Sequence, residues 1–556
     1  MRFWFILGTV ENFWVLVFFT QIITHAQDSK QPNIIFILAD DLGWNDVGFH
    51  GSNEIPTPNI DALAYSGVIL NNYYVNSLCS PSRSALMTGK YSIHTGMQHL
   101  VLLPAEPRGL NLSEKLLPQY LKELGYVNHM VGKWHLGYWK KEYTPMYRGF
   151  DSHLGYYNWG HHYYSHTLNP SPSWGYDMRR NMSVAFDLHG QYSTTVFTDE
   201  SVKIIKNHNI SQPLFLYLAH AAVHAATAYD SLPAPDDVVA SFANLTDDHW
   251  DNYRRQKFAA MLTLLDDSVG EVMQALADRK MLENSIIIFS TDNGGAAEGY
   301  DISEASNWPL KGAKNSLWEG GVRGAAAVWS PLIKEKSRVS HQMMHITDWL
   351  PTLLDAAGGN SSQLSEIDGI SMWDTLTNNV DSNRSEILLN IDQTTGEAGL
   401  RIGDYKIITG RSNDISWDGW FGPTGRNVSG YNLSVIENSL AYQALDSVKL
   451  AVDLDEIDAI RENATISCGD FDQGSCLPED VCLYNISNDP CEYVNLAKVF
   501  PNTVTAMLVT LGEYNDTSLP PQNIGDDPSA DPRLHQHVWS IWGDNETISE
   551  LLEVIP

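Results

Sequence analysis

The chain has 556 residues, of which 43% are hydrophobic and 18% charged, so it can bury a large core and lacks the composition of a disordered protein. At about 150 residues per domain, this length corresponds to three or four domains or to fewer large ones. The formal net charge is −32, and a field of that sign repels nucleic acid. We therefore expect no nucleic-acid partner, and we expect any anionic substrate to need a local cationic pocket.

The N-terminus has the features of a secretion signal. A basic residue precedes an apolar stretch that is densest over residues 13–23, and small residues then lead to Gln27. We predict a signal peptide at residues 1–26. Because Glu11 interrupts the stretch and a membrane anchor needs roughly 20 apolar residues, we expect no integral membrane span.

Three apolar runs without polar alternation indicate strands that are covered on both faces of a parallel sheet. They lie at residues 33–39, 213–219 and 285–290, and residues 258–280 between the last two carry hydrophobic side chains at helical spacing. Strands alternating with helices predict an α/β fold with a doubly wound, mostly parallel sheet. Ligands bind outside the carboxyl ends of such strands, so we expect the polar residues that follow the first and third runs to meet: Asp40, Asp41, Asp292 and Asn293.

The sequence pattern changes near residue 395, where turn residues and a cysteine cluster replace long amphipathic repeats. We predict a catalytic domain at residues 27–395 and a smaller C-terminal domain at residues 396–556. The segment after Leu519 is rich in Pro, Asp and Asn, so we expect it to be loop-like.

Glycosylation signals and cysteines both point to the secretory pathway. Four close cysteines predict two disulfides in one of three pairings, since the spacing lacks the paired C-x-x-C units of a zinc site; they are Cys468, Cys476, Cys482 and Cys491. Asn-X-Ser/Thr signals occur at Asn111, Asn181, Asn209, Asn244, Asn360, Asn383, Asn427, Asn432, Asn463, Asn485, Asn515 and Asn545. This leaves Cys79 without a partner.

Cys79 lies just before a predicted helix. A serine followed by a proline, Ser80-Pro81, favours a helix start, and the free N–H groups there favour an anion. An alternative is that Cys79 is a small buried apolar residue.

The string around Cys79 resembles the signature of the sulfatase family, C-x-P-S-R-x-x-x-x-T-G. Further strings resemble sulfatase segments, and the last of them is most similar to the arylsulfatase B, or N-acetylgalactosamine-4-sulfatase, branch: residues 37–43, 130–137, 290–295 and 307–324. The resemblance implies an alkaline-phosphatase-like large domain, with a mostly parallel sheet between helices, and a smaller C-terminal α+β domain with an antiparallel sheet.

The resemblance also implies a sulfuric ester hydrolase in which a formylglycine-generating enzyme oxidises Cys79 to formylglycine. Its hydrate would attack sulfur, and loss of a proton from its second hydroxyl would release sulfate. One Ca²⁺ would be held by the modified Cys79 with Asp40, Asp41, Asp292 and Asn293, and oxygen ligands suit that hard ion.

Five further residues receive roles by the same resemblance. Cations that bind sulfate oxygens and proton donors that serve the leaving alcohol lower the barrier to sulfate transfer. Arg83 would orient formylglycine, Lys133, His224 and Lys314 would bind sulfate, His224 or Lys314 would protonate the leaving alcohol, and His135 would deprotonate the second hydroxyl.

The expected substrates are sulfated carbohydrates or aryl sulfates, and the expected location is extracellular or lysosomal. Two alternatives remain: a phosphatase or phosphonate hydrolase on the same scaffold, and a non-catalytic secreted binding protein. Residues 104–109 should help to shape the pocket. Residues 161–166, with their histidines and tyrosines, either line the substrate mouth or form an exposed aromatic loop.

Overall fold

All three predicted apolar runs form strands. The structure is a computed structural model that describes residues 31–169, 173–245, 251–410, 416–426, 430–469, 474 and 476–544. The predicted signal peptide at residues 1–26 lies outside these described residues.

The strands are numbered in chain order. They are β1 (Asn33–Ala39), β2 (Val68–Leu70), β3 (Tyr73–Tyr74), β4 (Val127–Lys133), β5 (Ser152–Tyr156), β6 (Thr167–Leu168), β7 (Gly175–Tyr176), β8 (Arg179–Arg180), β9 (Ser183–Val184), β10 (Leu214–Ala219), β11 (Ser285–Thr291), β12 (Ala326–Trp329), β13 (Arg338–Ser340), β14 (Met344–His345), β15 (Glu386–Ile391), β16 (Ala398–Ile402), β17 (Tyr405–Thr409) and β18 (Cys482–Asn485).

The helices follow the same numbering. They are α1 (Pro58–Ser66), α2 (Cys79–Thr88), α3 (Leu117–Glu123), α4 (Ser193–Asn207), α5 (Asp236–Ala240), α6 (Asn252–Asp278), α7 (Glu319–Val322), α8 (Trp349–Ala356), α9 (Trp373–Asn378), α10 (Leu433–Glu437), α11 (Leu440–Ser447), α12 (Ile457–Ala464) and α13 (Pro501–Thr517). The helix predicted over residues 258–280 is confirmed as part of α6.

Within the described residues, ten strands form one mixed sheet in the order β13-β2-β12-β11-β1-β10-β4-β5-β8-β9. Its five central strands, from β11 to β5, are mutually parallel. Strand β12 pairs antiparallel with β11, and β8 pairs antiparallel with β5. The predicted mostly parallel sheet is therefore confirmed, with antiparallel strands towards its edges.

Helices cover both faces of this sheet, which explains why β1 has no polar alternation. Ile35 and Ile37 of β1 belong to the core on one face, with residues of α1, α4, α6 and α11. Phe36 and Leu38 belong to the core on the other face, with residues of α2, α3 and α8. Strand alternation thus sends neighbouring side chains into two separate cores.

A second sheet is antiparallel and has the order β15-β16-β17-β18. Helix α13 packs on one face of it through Met507 and Leu511, so the predicted smaller α+β unit with an antiparallel sheet is confirmed. Strand β15 precedes residue 396, and the described residues from Pro32 onward form one compact unit. The boundary near residue 395 stays a prediction.

The cysteine pairing is one of the three that the sequence left open. Cys468 is bonded to Cys491, and Cys476 is bonded to Cys482. Cys79 is a free, buried thiol.

The candidate glycosylation sites are accessible in the structure. Ten of the twelve candidate glycosylation asparagines lie in the described part of the chain, and none of the ten is buried. Across the described residues, no helix combines the length and apolarity needed to cross a bilayer.

Candidate active site

Two neighbouring strands place four polar residues at one edge of the large sheet. Strands β1 and β11 are parallel and pair Ala39 with Thr291, the last residue of each. The residues that follow therefore meet, as the strand pattern predicts: Asp40, Asp41, Asp292 and Asn293. All four are fully buried.

The next two strands along the sheet add cations and a histidine to the same edge. Lys133 is the last residue of β4, and its Nζ lies 2.5 Å from Asp40 Oδ2. His224 follows β10 and lies 3.5 Å from Asp41 Oδ2 through its Nε2. His220, which also follows β10, instead contacts Ser268 on α6 at 3.0 Å, so it takes no part in this group.

Cys79 and Arg83 come from α2. Cys79 is the first helical residue, so the helix begins one residue earlier than predicted. Its Sγ lies 3.6 Å from Asp40 Oδ1. Arg83 is one turn further along. It donates two hydrogen bonds to Asp292 Oδ2, at 2.7 and 3.2 Å, and one to the carbonyl oxygen of Lys133 at 3.1 Å.

Lys314 connects the acidic edge to the solvent side of the site. Its Nζ lies 2.8 Å from Asp41 Oδ2, 3.2 Å from His224 Nε2 and 2.9 Å from Asp301 Oδ2. Lys314 is 4% exposed. A buried ammonium with two carboxylate partners is well placed to contact an anion without first being desolvated.

The arrangement fits a hard cation. Ligand atoms of Asp40, Asp41, Cys79 and His224 lie within 4.8 Å of one another. Asn293 Nδ2 donates to Asp41 Oδ1 at 2.8 Å, whereas Asn293 Oδ1 is buried without a hydrogen-bond partner among the described residues. Such an orphaned oxygen beside carboxylates matches the donor preference of Ca²⁺.

Burial and neighbouring charges shift the pKa values of this cluster in different directions: burial, followed by the charge of Asp40, raises the pKa of Asp292 to about 6. Although burial opposes ionisation, Lys314 and His224 hold the pKa of Asp41 well below its usual range. Burial, followed by the charge of Lys314, lowers the pKa of His224 to about 4. Burial, followed by the charge of Lys133, holds the pKa of His135 well below its usual value.

The histidine partners indicate which nitrogen carries the proton. His135 Nε2 contacts the carbonyl oxygen of Leu102 at 3.0 Å, so it is the donor, and its Nδ1 lone pair has no partner within the described chain. His224 Nδ1 contacts the carbonyl oxygen of Ala225 at 2.6 Å, so its Nε2 can accept from Lys314.

Two of these residues have a strained backbone. Asp41 and His135 have φ values of 59° and 57°, in the left-handed region that costs a non-glycine residue about 1–3 kcal/mol. Strain of this kind persists only where the surroundings fix the conformation, and it is common at functional sites.

A cavity of about 860 Å³ opens above the cluster. Cys79, His135, His224 and Lys314 lie at its base, each no more than 4% exposed. Lys133 and Arg83 are not among its described lining residues. Lys133 forms an ion pair with Asp40, and Arg83 forms one with Asp292. Pro104 lines the cavity, in agreement with the expectation for residues 104–109.

Sequence reasoning missed several lining residues. Trp159, Asp301, Asp526 and Trp539 all line the cavity. The segment after Leu519 is therefore more than a surface loop, since Trp539 is 2% exposed. The sequence shows an excess of Asp and Pro in that segment, but no local sequence pattern predicts what the segment packs against.

Both interpretations of residues 161–166 are wrong. His161, Tyr163 and His166 are at most 1% exposed, and none of the three is among the described cavity-lining residues. Ser193, at the start of α4, contacts His161 Nε2 at 2.6 Å and His166 Nδ1 at 3.3 Å. Half of this segment is buried, the rest is partly exposed, and none of it is among the described residues that line the cavity.

A buried polar cluster at the carboxyl edge of a mostly parallel sheet, below a cavity, lies where α/β proteins place their ligand-binding and active sites. The sulfatase family model matches residues 32–359. Mouse (Mus musculus) arylsulfatase J is 38% identical over 534 residues, which cover 92% of this chain and 81% of that protein. Human (Homo sapiens) N-acetylgalactosamine-6-sulfatase is 33% identical, over 62% of this chain and 66% of that protein.

Solved structures agree with the sequence matches. The crystal structure of Ps i-CgsB in complex with k-i-k-neocarrahexaose is 26% identical, has a TM-score of 0.68, and is matched over 91% of this chain and 97% of that one. The chain belongs to the sulfatase family, which confirms the predicted fold and makes the protein a sulfuric ester hydrolase by class.

Proposed function

We propose that the protein hydrolyses sulfate esters of carbohydrates or aryl alcohols, with residue 79 as formylglycine and one bound Ca²⁺. The observation that carries this proposal is the position of Cys79. It is a free thiol at the base of the cavity, 3.6 Å from a carboxylate of the buried cluster.

An unmodified Cys79 is poorly suited to attack sulfur. Burial is the main cause that raises the pKa of its thiol far above the usual value, and a thiol that stays protonated is a weak nucleophile. Formylglycine at this position supplies a hydrated aldehyde, in which one hydroxyl can attack and the other can lose a proton to release sulfate.

The acidic cluster supports calcium. Asp40, Asp41, Asp292 and Asn293 supply the oxygen ligands that a hard cation prefers, whereas the imidazole of His224 suits softer metals. Held by these residues, Ca²⁺ would supply Lewis-acid chemistry, which would polarise sulfate oxygens and favour ionisation of a nearby hydroxyl. Arg83 and Lys133 already pair with Asp292 and Asp40, so these cations fix the ligand carboxylates in place.

The cavity-lining residues support distinct steps. Lys314 reaches the base of the cavity as an ammonium, so it can bind a sulfate oxygen and donate a proton to the departing alcohol. His224 Nε2 is within 3.2 Å of Lys314 Nζ and can share that proton. His135 Nδ1 has a free lone pair within the described chain, which suits removal of the proton from the second hydroxyl.

The setting of the enzyme is also part of the proposal. We place it in the secretory pathway, as an extracellular or lysosomal protein that receives formylglycine from a formylglycine-generating enzyme. Two disulfides and the absence of buried asparagines among the ten described glycosylation candidates support this. The string at residues 307–324 supports a position near the arylsulfatase B branch.

The first experiment compares 4-nitrophenyl sulfate with 4-nitrophenyl phosphate, using protein secreted from a eukaryotic host. We expect the sulfate to have the higher kcat/KM. Faster turnover of the phosphate would favour the phosphatase or phosphonate hydrolase alternative. No turnover of either ester, together with an unmodified Cys79, would favour the binding-protein alternative.

A second experiment replaces Cys79 by serine, with Cys79→Ala as the matched control. Serine keeps one hydroxyl but lacks the second, so we expect steady turnover to stop in both variants. Only the serine variant should accumulate a sulfated residue 79, detected by mass spectrometry. Full turnover by Cys79→Ser would contradict the role of the second hydroxyl.

A further inference from the structure

The mouth of the cavity differs in charge from its base. Four carboxylates line the described part of the cavity, from Asp301, Asp526, Asp527 and Asp531. The permanent cations among the described lining residues are Lys314 and Arg533, so acids outnumber cations by two. The sulfate subsite at the base is thus reached through an acidic opening.

Both lining cations are already paired. Arg533 contacts Asp531 through Nε at 2.8 Å and through Nη2 at 2.5 Å. Lys314 is shared between Asp41 at the base and Asp301, whose side chain is 46% exposed towards the mouth. Because both cations already pair with carboxylates, neither is available to bind a second anionic group outside the base.

The remaining two acids, Asp526 and Asp527, also line the cavity. Asp527 accepts hydrogen bonds from Ser529 Oγ and Trp542 Nε1 at 2.6 and 3.0 Å. The bond from Ser529 is the main cause that lowers the pKa of Asp527 below its usual value. Asp526 is exposed to solvent at the same rim.

The walls between the rim and the base are apolar. Leu100 and Leu103 line the cavity while 48% and 47% exposed, so they present apolar surface to a ligand that enters it. The ring of Trp159 lies 5.8 Å from that of His224, between centroids. An aromatic or other apolar leaving group would therefore contact a matching surface.

We propose that this cavity selects singly sulfated substrates with an apolar, uncharged leaving group, and that its acidic mouth disfavours substrates that carry a second sulfate. This inference rests on the proposed function, because it assumes that the anion-binding base receives a sulfate ester. Like charges brought together in a partly desolvated cleft oppose binding, and salt weakens that effect at exposed positions.

The test measures equilibrium binding by calorimetry, so it needs no turnover. The probes are naphthalene-2-sulfonate, naphthalene-1,5-disulfonate and methanesulfonate, which resemble sulfate esters but are not hydrolysed. At low salt, we expect the monosulfonate to bind at least about fivefold more tightly than the disulfonate. This ratio should shrink at about 1 M salt, where the Debye screening length falls to roughly 3 Å. We expect methanesulfonate to bind more weakly than naphthalene-2-sulfonate because it cannot reach the apolar walls.

Variants locate the effect at the rim. Asp526→Lys should reduce the preference for the monosulfonate, and the smaller change Asp526→Asn should act in the same direction. Asp455→Lys is the matched control, because Asp455 is exposed and is not among the described lining residues; it should leave the ratio unchanged.

The outcomes separate this inference from the proposed function. A disulfonate that binds as tightly as the monosulfonate, a ratio unaffected by both Asp526 variants, or no binding of either naphthalene sulfonate would overturn the inference. If no sulfate ester is turned over but the sulfonate ratio is as expected, the proposed function fails and the charge selection stands. If turnover is normal and the ratio is absent, only the inference fails.

Discussion

Replacing Lys314 by methionine removes the one ammonium of the cluster that lines the described cavity and keeps most of the side-chain volume. The Nζ atom has three polar partners within 3.2 Å, from Asp41, His224 and Asp301, so its position is well fixed. Two unit charges about 3 Å apart interact by about 5.5 kcal/mol at an effective dielectric constant of about 20. This is an upper bound on its effect on the reaction.

Only the part of that interaction that grows in the transition state affects kcat. Sulfate esters are anionic before and after the transition state is reached, and donors to developing negative charge typically contribute about 2.7–4 kcal/mol. We therefore expect Lys314→Met to lower kcat/KM by about 10²–10³-fold, with most of the loss in kcat. Steady-state assays with 4-nitrophenyl sulfate measure both parameters.

Lys203→Met is the control, since Lys203 is an exposed residue of α4 paired with Glu200. It should change kcat/KM by less than about twofold, as expected for a surface ion pair. Thermal unfolding of both variants establishes that they are folded. A folded Lys314→Met enzyme with a kcat/KM within about threefold of the parent would refute the role given to Lys314.

Three further outcomes are expected. Asp292→Asn should lose stoichiometric calcium, measured by elemental analysis after dialysis, and a variant that keeps the ion would show that the ligand assignment is wrong. Burial raises the pKa of Asp266 from 3.8 to about 8, so the folded state retains a proton that the unfolded chain releases, and stability falls as pH rises between those values. Asp266→Asn should flatten this slope by up to about 1.4 kcal/mol per pH unit in urea unfolding; equal slopes would contradict it. Replacing both cysteines of the Cys468–Cys491 pair by serine should cost more unfolding free energy than the same change in the Cys476–Cys482 pair, because the loops close over 23 and 6 residues; the reverse order would contradict this.

Much of the candidate site follows from local sequence. The apolar runs at β1, β10 and β11 predict buried parallel strands, and parallel strands end at the same edge of a sheet. That rule alone brings Asp40 and Asp292 together. The rule works because a short, continuously apolar run indicates a strand that is buried on both faces, and such strands belong to parallel sheets.

Other features depend on contacts between distant parts of the chain, and local patterns do not predict them. Asp526 and Trp539 reach the cavity because the C-terminal segment forms backbone hydrogen bonds with Ala105, Trp139 and Tyr176, which are distant in sequence. His161 was misinterpreted because a residue distant in sequence, Ser193, gives its Nε2 a buried hydrogen-bond partner. The disulfide pairing likewise depends on which loops the fold brings together.

The most direct test of the account is the chemical state of residue 79 in protein secreted from a host that makes formylglycine. A tryptic fragment with this residue would run from Gln31 to Arg83, so a shorter chymotryptic fragment that begins after Tyr74 is better suited to mass spectrometry. The account predicts a fragment in which the cysteine sulfur has been replaced by an aldehyde oxygen. A fragment with intact cysteine, from protein that hydrolyses sulfate esters, would contradict it.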